Sequence, residues 1–168
     1  MHELETARLH LRLFTVDDLE DLYAIYQDAQ VMKYLSPRSK EQTEQSLYRH
    51  IQQWQEHDFG MWAVADKMTG KLLGRCGLCF LDKTPEVELG YVLAKEYWGQ
   101  GLATEASLAT IKYGFEQVNL ERIVAIAHAE NLASRRVIEK VGMTYEKDAH
   151  YYNTDVVYYA LTKGLSNK

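Results

Sequence analysis

Gly99 and Gly101 stand one residue apart, between a strand-like run, Val87 to Leu93, and a helical run that begins at Leu102. That arrangement suits a phosphate. The first amides of a helix have no internal partner, and the helix dipole favours an anion beside them. Glycines let successive N–H groups turn toward one point without a Cβ in the way. Gly99, Gln100, Gly101, Leu102, Ala103 and Thr104 are therefore the candidate cradle. A nucleoside-triphosphate loop needs a lysine at its end, and none lies between Lys95 and Lys112. A dinucleotide fingerprint matches only in its first half, because Thr104 holds the third glycine position. Glu121, at the spacing of the ribose-binding acid, precedes the next strand instead of ending it.

Titratable groups near this turn bring proton transfer within reach. Glu88 lies on the strand before the glycines, two residues from Gly90 and so on its face; Glu86 shares that face nearer the loop. His128 follows the next strand, Arg122 to Ala127, and histidine titrates near neutrality. Cys76 and Cys79 have redox-motif spacing, but they lie inside a strand-like run and so point to opposite faces. No second pair completes a zinc site, so they read as reduced, small apolar thiols, and no metal is expected.

The elements that must position these groups follow from periodicity. Arg8 to Leu13 alternates as a strand. Thr15 opens a helix with the stripe Leu19, Leu22, Tyr23, Tyr26, and Thr43, Leu47, Ile51, Trp54 mark a second. Strands over 60–65 and 72–81 flank a hairpin loop at 66–71. The glycine-turn helix, with Leu102, Ala106, Ala109 and Tyr113 on one face, precedes the strand over 122–127. The Asn131 helix stops at Gly142, and strands over about 144–149 and 155–161 close the chain. The order β-α-α-β-β-β-α-β-α-β-β predicts an α+β, three-layer domain spanning residues 1–168.

Composition sets outer bounds. With 168 residues and 46% hydrophobic content the chain can build one real core. It has no membrane-length apolar run and no signal-like start, so it reads as cytoplasmic. A net charge of −5 argues against nucleic acid and leans weakly toward a cationic partner, although on composition alone solubility is the better explanation.

Three blocks carry a family resemblance. Tyr97-Trp98-Gly99-Gln100-Gly101-Leu102-Ala103-Thr104 resembles the acyl-coenzyme A cradle of the Gcn5-related N-acetyltransferases (GNAT), with Trp98 where glutamine or arginine is usual. Asn131-Leu132-Ala133-Ser134, running on to Lys140-Val141-Gly142-Met143, resembles the Asn-x-x-Ser helix of the branch that acetylates ribosomal proteins. Leu4 to Arg12 resembles that branch's first strand. Together they cover almost the whole chain.

The resemblance implies a mixed, mostly antiparallel sheet splayed between its fourth and fifth strands. It also implies acetyl-coenzyme A as cofactor and a primary amine as acceptor, either a protein N-terminus or a small molecule. Neither nucleic acid nor membrane is implied as a partner. Oligomeric state is open, a homodimer included. The edge of Tyr91, Val92 and Leu93 would pair with pantetheine amides, an N–H near Val92 would face the oxyanion, and Gly90 would permit a bulge or simply pack. Glu88 would be the base. Ser134 would serve the leaving thiolate, because Ile138 occupies the position where many members carry a tyrosine. Asn131 would bind pantetheine or cap its helix. Arg135, Arg136 and Lys140 would reach the adenosine 3′-phosphate or stay solvated, and Tyr34, Trp62 and residues 35–40 would wall the acceptor pocket. The rival reading is a coenzyme A-binding module without catalysis.

Overall fold

Alternating apolar residues build the strands, and two sets of helices cover their two faces. The structure is a computed structural model that describes residues 2–164. Its strands are β1 (Leu4–Glu5), β2 (Leu9–Arg12), β3 (Met61–Asp66), β4 (Leu72–Phe80), β5 (Val87–Leu93), β6 (Arg122–Ala127), β7 (Thr144–Tyr151) and β8 (Thr154–Thr162). The helices are α1 (Leu19–Tyr26), α2 (Lys40–Glu56), α3 (Leu102–Glu116) and α4 (Leu132–Lys140). One sheet results, in the order β1-β2-β3-β4-β5-β6-β8-β7. Every neighbouring pair is antiparallel except β5 with β6.

The expected elements are all present, with one addition. Residues 4–5 form the short strand β1, which pairs Leu4 with Leu11 and extends the edge. The predicted fourth and fifth strands are thus β5 and β6. They meet at a single pair, Glu88 with Val124, whereas β5 pairs with β4 along its whole length. Beyond Glu88 the two strands diverge, as the resemblance implied.

Side-chain alternation sorts the core into layers. Phe14, Leu22, Ile25 and Leu47 pack under α1 and α2 against Met61, Ala63, Leu72 and Val92. Ala106, Ile111 and Tyr113 of α3 and Ile138 of α4 pack on the other face against Leu73, Leu78 and Leu89. Each buried Leu, Ile, Val, Phe or Met among them is worth about 1.5–3 kcal/mol, so the two layers hold the sheet fixed around the gap. Helix ends are set locally. Ser39 caps α2 by accepting from the Gln42 N–H at 3.1 Å. Gly142, at φ 98°, ends α4 in the left-handed conformation expected of a C′ glycine.

Candidate active site

The glycine turn and the helix start form where the sequence put them. Gly101 caps α3 at φ 77°, and Gly99 stands at φ 73°, both in the left-handed region. A Cβ built on Gly99 would meet no protein atom within 4 Å, and one on Gly101 only the Arg8 Nη2 at 3.5 Å. The space above both glycines is open. Among the described residues, the N–H groups of 99–104 find no protein acceptor. Aligned free amides and room for a ligand are the conditions for holding a pyrophosphate.

Arg8 braces this turn, a role the sequence did not signal. Its Nη1 donates to the Gln100 carbonyl at 2.8 Å, and its Nε to Glu105 Oε1 at 2.8 Å. Glu105 also accepts from the Arg8 N–H at 2.9 Å and from the Thr6 hydroxyl. Burial opposes the Glu105 charge, but these donors hold its carboxyl below the usual range. The first-strand block thus fastens the N-terminal segment to the first turn of α3 and sets a guanidinium beside the cradle.

The register of β5 decides which amides face the gap. Ala94 N–H bonds Leu73 O at one end of the β4 pairing, and Leu81 N–H bonds Glu86 O at the other. Alternation between them turns residues 88, 90 and 92 toward β4. Leu89, Tyr91 and Leu93 therefore present N–H and C=O toward β6. The Val92 amide itself is directed at Arg75, so a donor near Val92 that faces the gap would be the N–H of Tyr91 or Leu93. Pairing runs through Gly90 without a bulge. A Cβ there would meet Met61 Cε at 3.1 Å, so Gly90 is a packing glycine.

Glu88 points to the α1/α2 face at the point where the strands part. It is buried, at 8% exposure. Its Oε1 accepts from the Tyr152 hydroxyl at 2.9 Å and from Cys79 Sγ at 3.6 Å. Burial raises its carboxyl from 4.5 to about 7, and the Tyr152 and Cys79 hydrogen bonds and the Arg75 charge offset only part of that. Tyr152 sits at the β7–β8 turn, where it and Asn153 have φ 52° and 58°. Asp82 ties the turn down, its N–H donating to the Tyr152 hydroxyl at 2.8 Å and its Oδ2 accepting the Tyr152 N–H at 2.9 Å. No local pattern links residues 70 apart, so the sequence could not name Tyr152.

Across the gap, Asn131 caps α4, its Oδ1 accepting the Ser134 N–H at 3.2 Å. The capping alternative is realised, and the amide nitrogen makes no hydrogen bond among the described residues. Ser134 Oγ lies 2.9 Å from the Tyr91 hydroxyl, whose burial raises its pKa to about 12. Ile138 is core, as its residue type demands. A phenol thus stands at Ser134 after all, delivered from β5 instead of α4.

The other candidates separate clearly. His128 stacks on Tyr34, centroids 5.0 Å apart, and its Nδ1 accepts the Glu130 N–H at 3.3 Å. Glu86 is bound by the Tyr158 hydroxyl. Trp62 is fully buried, donates to the His2 carbonyl, and packs tilted against Trp54 and edge-on to Tyr113, so it is core and walls nothing. Arg135 is engaged by Tyr159 and the Ala129 carbonyl, at 3.0 Å each. Cys76 and Cys79 point to opposite faces and are free thiols. Burial pushes Cys76 to about 11 and Cys79 higher still, so neither is a thiolate near neutrality. No described helix is long and apolar enough to cross a membrane.

A splayed sheet, a glycine-opened helix on one strand and an Asn-x-x-Ser helix on the next define an acyltransferase fold. Residues 8–144 match the family model described as "Acetyltransferase (GNAT) domain". The chain is 32% identical to "Uncharacterized N-acetyltransferase YoaA" of Bacillus subtilis (strain 168), over 85% of this chain and 83% of that one. A GNAT-family acetyltransferase structure from Bacillus anthracis superposes with a TM-score of 0.81 at 30% identity, covering 95% of this chain and 98% of that one. A Vibrio cholerae structure described as "a putative ribosomal-protein-serine acetyltransferase" gives a TM-score of 0.82 at 26% identity, covering 95% and 97%. The chain belongs to the GNAT acetyltransferase family and is an N-acetyltransferase; acetyl transfer from acetyl-coenzyme A is general to that family.

Proposed function

We propose that this enzyme acetylates a primary amine by direct transfer, with Glu88 as the base. The observation that carries the reading is Glu88 itself: a buried carboxyl with a pKa of about 7, at the point where β5 and β6 part. An alkyl ammonium has a pKa of roughly 10.4, so near pH 7 its proton must be removed, and a base poised near the working pH does this best. When bound, acetyl-coenzyme A supplies the thioester carbonyl that the amine attacks and the sulfur that leaves. The amides of 99–104 bind its pyrophosphate, and the gap-facing edge at Tyr91 and Leu93 orients its pantetheine. Glu88 takes the amine's proton on a carboxylate oxygen. The Tyr91–Ser134 hydroxyl pair gives a proton toward the departing sulfur. With both cysteines protonated near neutrality, direct attack is favoured over an acyl-cysteine route.

Coenzyme A release measured over a panel of primary amines, with a pH–rate profile on the best acceptor, tests the reading. An acidic limb near pH 7 is expected, and Glu88→Gln should abolish it, with the variant's rate recovering at high pH where more acceptor is already neutral. A limb that persists in Glu88→Gln and vanishes in His128→Ala would transfer the role to the histidine.

A further inference from the structure

The sheet face that carries Glu88 holds two further arginines beside Arg75, and neither takes part in the proton transfer. Arg38, between α1 and α2, and Arg49, on α2, both donate to Ser46 Oγ, at 3.2 and 3.1 Å. The Arg38 guanidinium lies 5.0 Å from the centroid of the Tyr26 ring. Arg75, on β4 and only 9% exposed, lies 5.9 Å from the same ring and donates its Nε–H to the Tyr26 hydroxyl at 2.6 Å. Among the described residues no carboxylate comes within 4.0 Å of any of these three guanidinium groups.

Three like charges around one phenol and one hydroxyl repel each other and lose solvation; only Arg75 feels a carboxylate, that of Glu88, and among the described residues Arg38 and Arg49 have no paired acid. They are no general excess of cations, because the whole chain carries −5. Next to Arg49 in sequence, the Nε2 of His50 is sealed from solvent and has no hydrogen-bond partner. Burial, and then the Arg75, Arg38 and Arg49 charges, push that ring's pKa down to about 3, so it adds no charge and neutralises none. A cavity of ≈ 250 Å³ opens between residues 36–38 and the Gln42, Gln45, Ser46 and Arg49 side of α2. It is a cationic recess lined with donors.

We propose that this recess is an oxyanion subsite for the acceptor, where Arg38 and Arg49 hold a carboxylate or phosphate carried by a small amine. The proposal deepens the direct-transfer reading and rests on it for the fate of the amino group. Guanidinium forks match the oxygen pairs of both anions. Arg38 lies on Tyr26, Arg75 donates to Tyr26, and the Arg75 charge acts on Glu88, so recess and base are linked by side chains on one sheet face, and an anion held by Arg38 and Arg49 would anchor an acceptor on the side of the sheet that carries the base. The phosphates of coenzyme A do not compete for it, since the cradle heads α3 on the opposite face. The volume admits one oxyanion-bearing head, not a folded chain.

Two measurements test the subsite. In the first, inorganic phosphate and acetate are titrated into the protein by calorimetry, with chloride as control, and repeated on Arg49→Gln and on Arg38→Gln/Arg49→Gln. Circular dichroism checks folding, and Arg49→Lys keeps the charge if the glutamine variants fold poorly. Saturable binding to the wild type, weakened by roughly ten- to a hundredfold in Arg49→Gln, is expected for a lost charge-assisted contact. Absence of saturable binding, or binding that survives the double substitution, overturns the subsite, whether or not any amine is acetylated.

The second compares coenzyme A release for matched amines: an amino acid against its amide, and phosphoethanolamine against ethanolamine. The wild type should favour the anionic member at least about tenfold in kcat/KM, and the arginine variants should lose that ratio through KM. The two pairs distinguish carboxylate from phosphate. Equal rates within both pairs, or turnover of an acidic N-terminal peptide but of no small anionic amine, refute the assignment. Anion binding without turnover of any amine would leave the subsite standing and count against the direct-transfer reading alone.

Discussion

Replacing Glu88 by glutamine removes a charge and keeps the shape, because the glutamine oxygen can still accept from Tyr152 and Cys79. In the folded protein the carboxyl titrates at about 7 instead of 4.5. At 1.36 kcal/mol per pKa unit that difference amounts to about 3 kcal/mol. The sign follows from proton counting. Between pH 4.5 and about 7 the folded state keeps a proton that the unfolded chain has lost, so stability falls as pH rises. The contribution of the neutral carboxyl is complete below pH 4.5 and gone above about 7. Glutamine does not titrate, and every other group is common to both proteins. The stability of Glu88→Gln minus that of the wild type should therefore rise by about 3 kcal/mol from pH 4.5 to pH 8. Urea unfolding at half-unit pH steps reads this difference directly. The variant should be the more stable protein at pH 8 and the less active one near neutrality. Parallel stability curves across the window would show that the fold does not hold this carboxyl neutral, and the argument for a tuned base would fail with them.

Gly101→Val should abolish coenzyme A binding by calorimetry while circular dichroism stays native. The added side chain has room against the protein, but it sits at φ 77° and fills the ligand's space, at a backbone cost of about 1–2 kcal/mol; unchanged affinity in the folded variant would remove the cradle. Ser134→Ala should lower turnover roughly ten- to a hundredfold with a smaller effect on cofactor affinity, and Tyr91→Phe should act in the same direction, since the two hydroxyls are one unit. Full activity in both, measured with a true acceptor, would put the leaving-group proton elsewhere. Tyr152→Phe removes a hydrogen bond that lowers the Glu88 pKa, so the acidic limb should move up by about one pH unit; a limb that stays in place would mean that Tyr152 only anchors its hairpin.

The sequence by itself determined what is local. Hydrophobic alternation and helical stripes depend on neighbours a few residues away, so every major element was legible, and so was the left-handed glycine turn at 99–101, which few residue types tolerate. Asn131 as a cap and Gly142 as a stop were legible for the same reason. Register and side-chain delivery belonged to the tertiary structure. Only the pairing of β5 with β4 turned the Val92 amide away from the gap. Only the tertiary structure brought the Tyr91 hydroxyl to Ser134, beside the helix position where many family members carry a tyrosine and this chain has Ile138. Tyr152 reached Glu88 because the β7–β8 turn folds back onto Asp82, 70 residues earlier in the chain. The raised pKa of Glu88 is likewise a property of burial, which no residue carries alone. Arg38, Arg49 and Arg75 read in the sequence as scattered cations in an acidic chain. Their convergence around Tyr26 and Ser46 required α1 to pack on β4 and α2 on α1, because like charges are brought together by the packing of the elements that carry them and by nothing in their spacing.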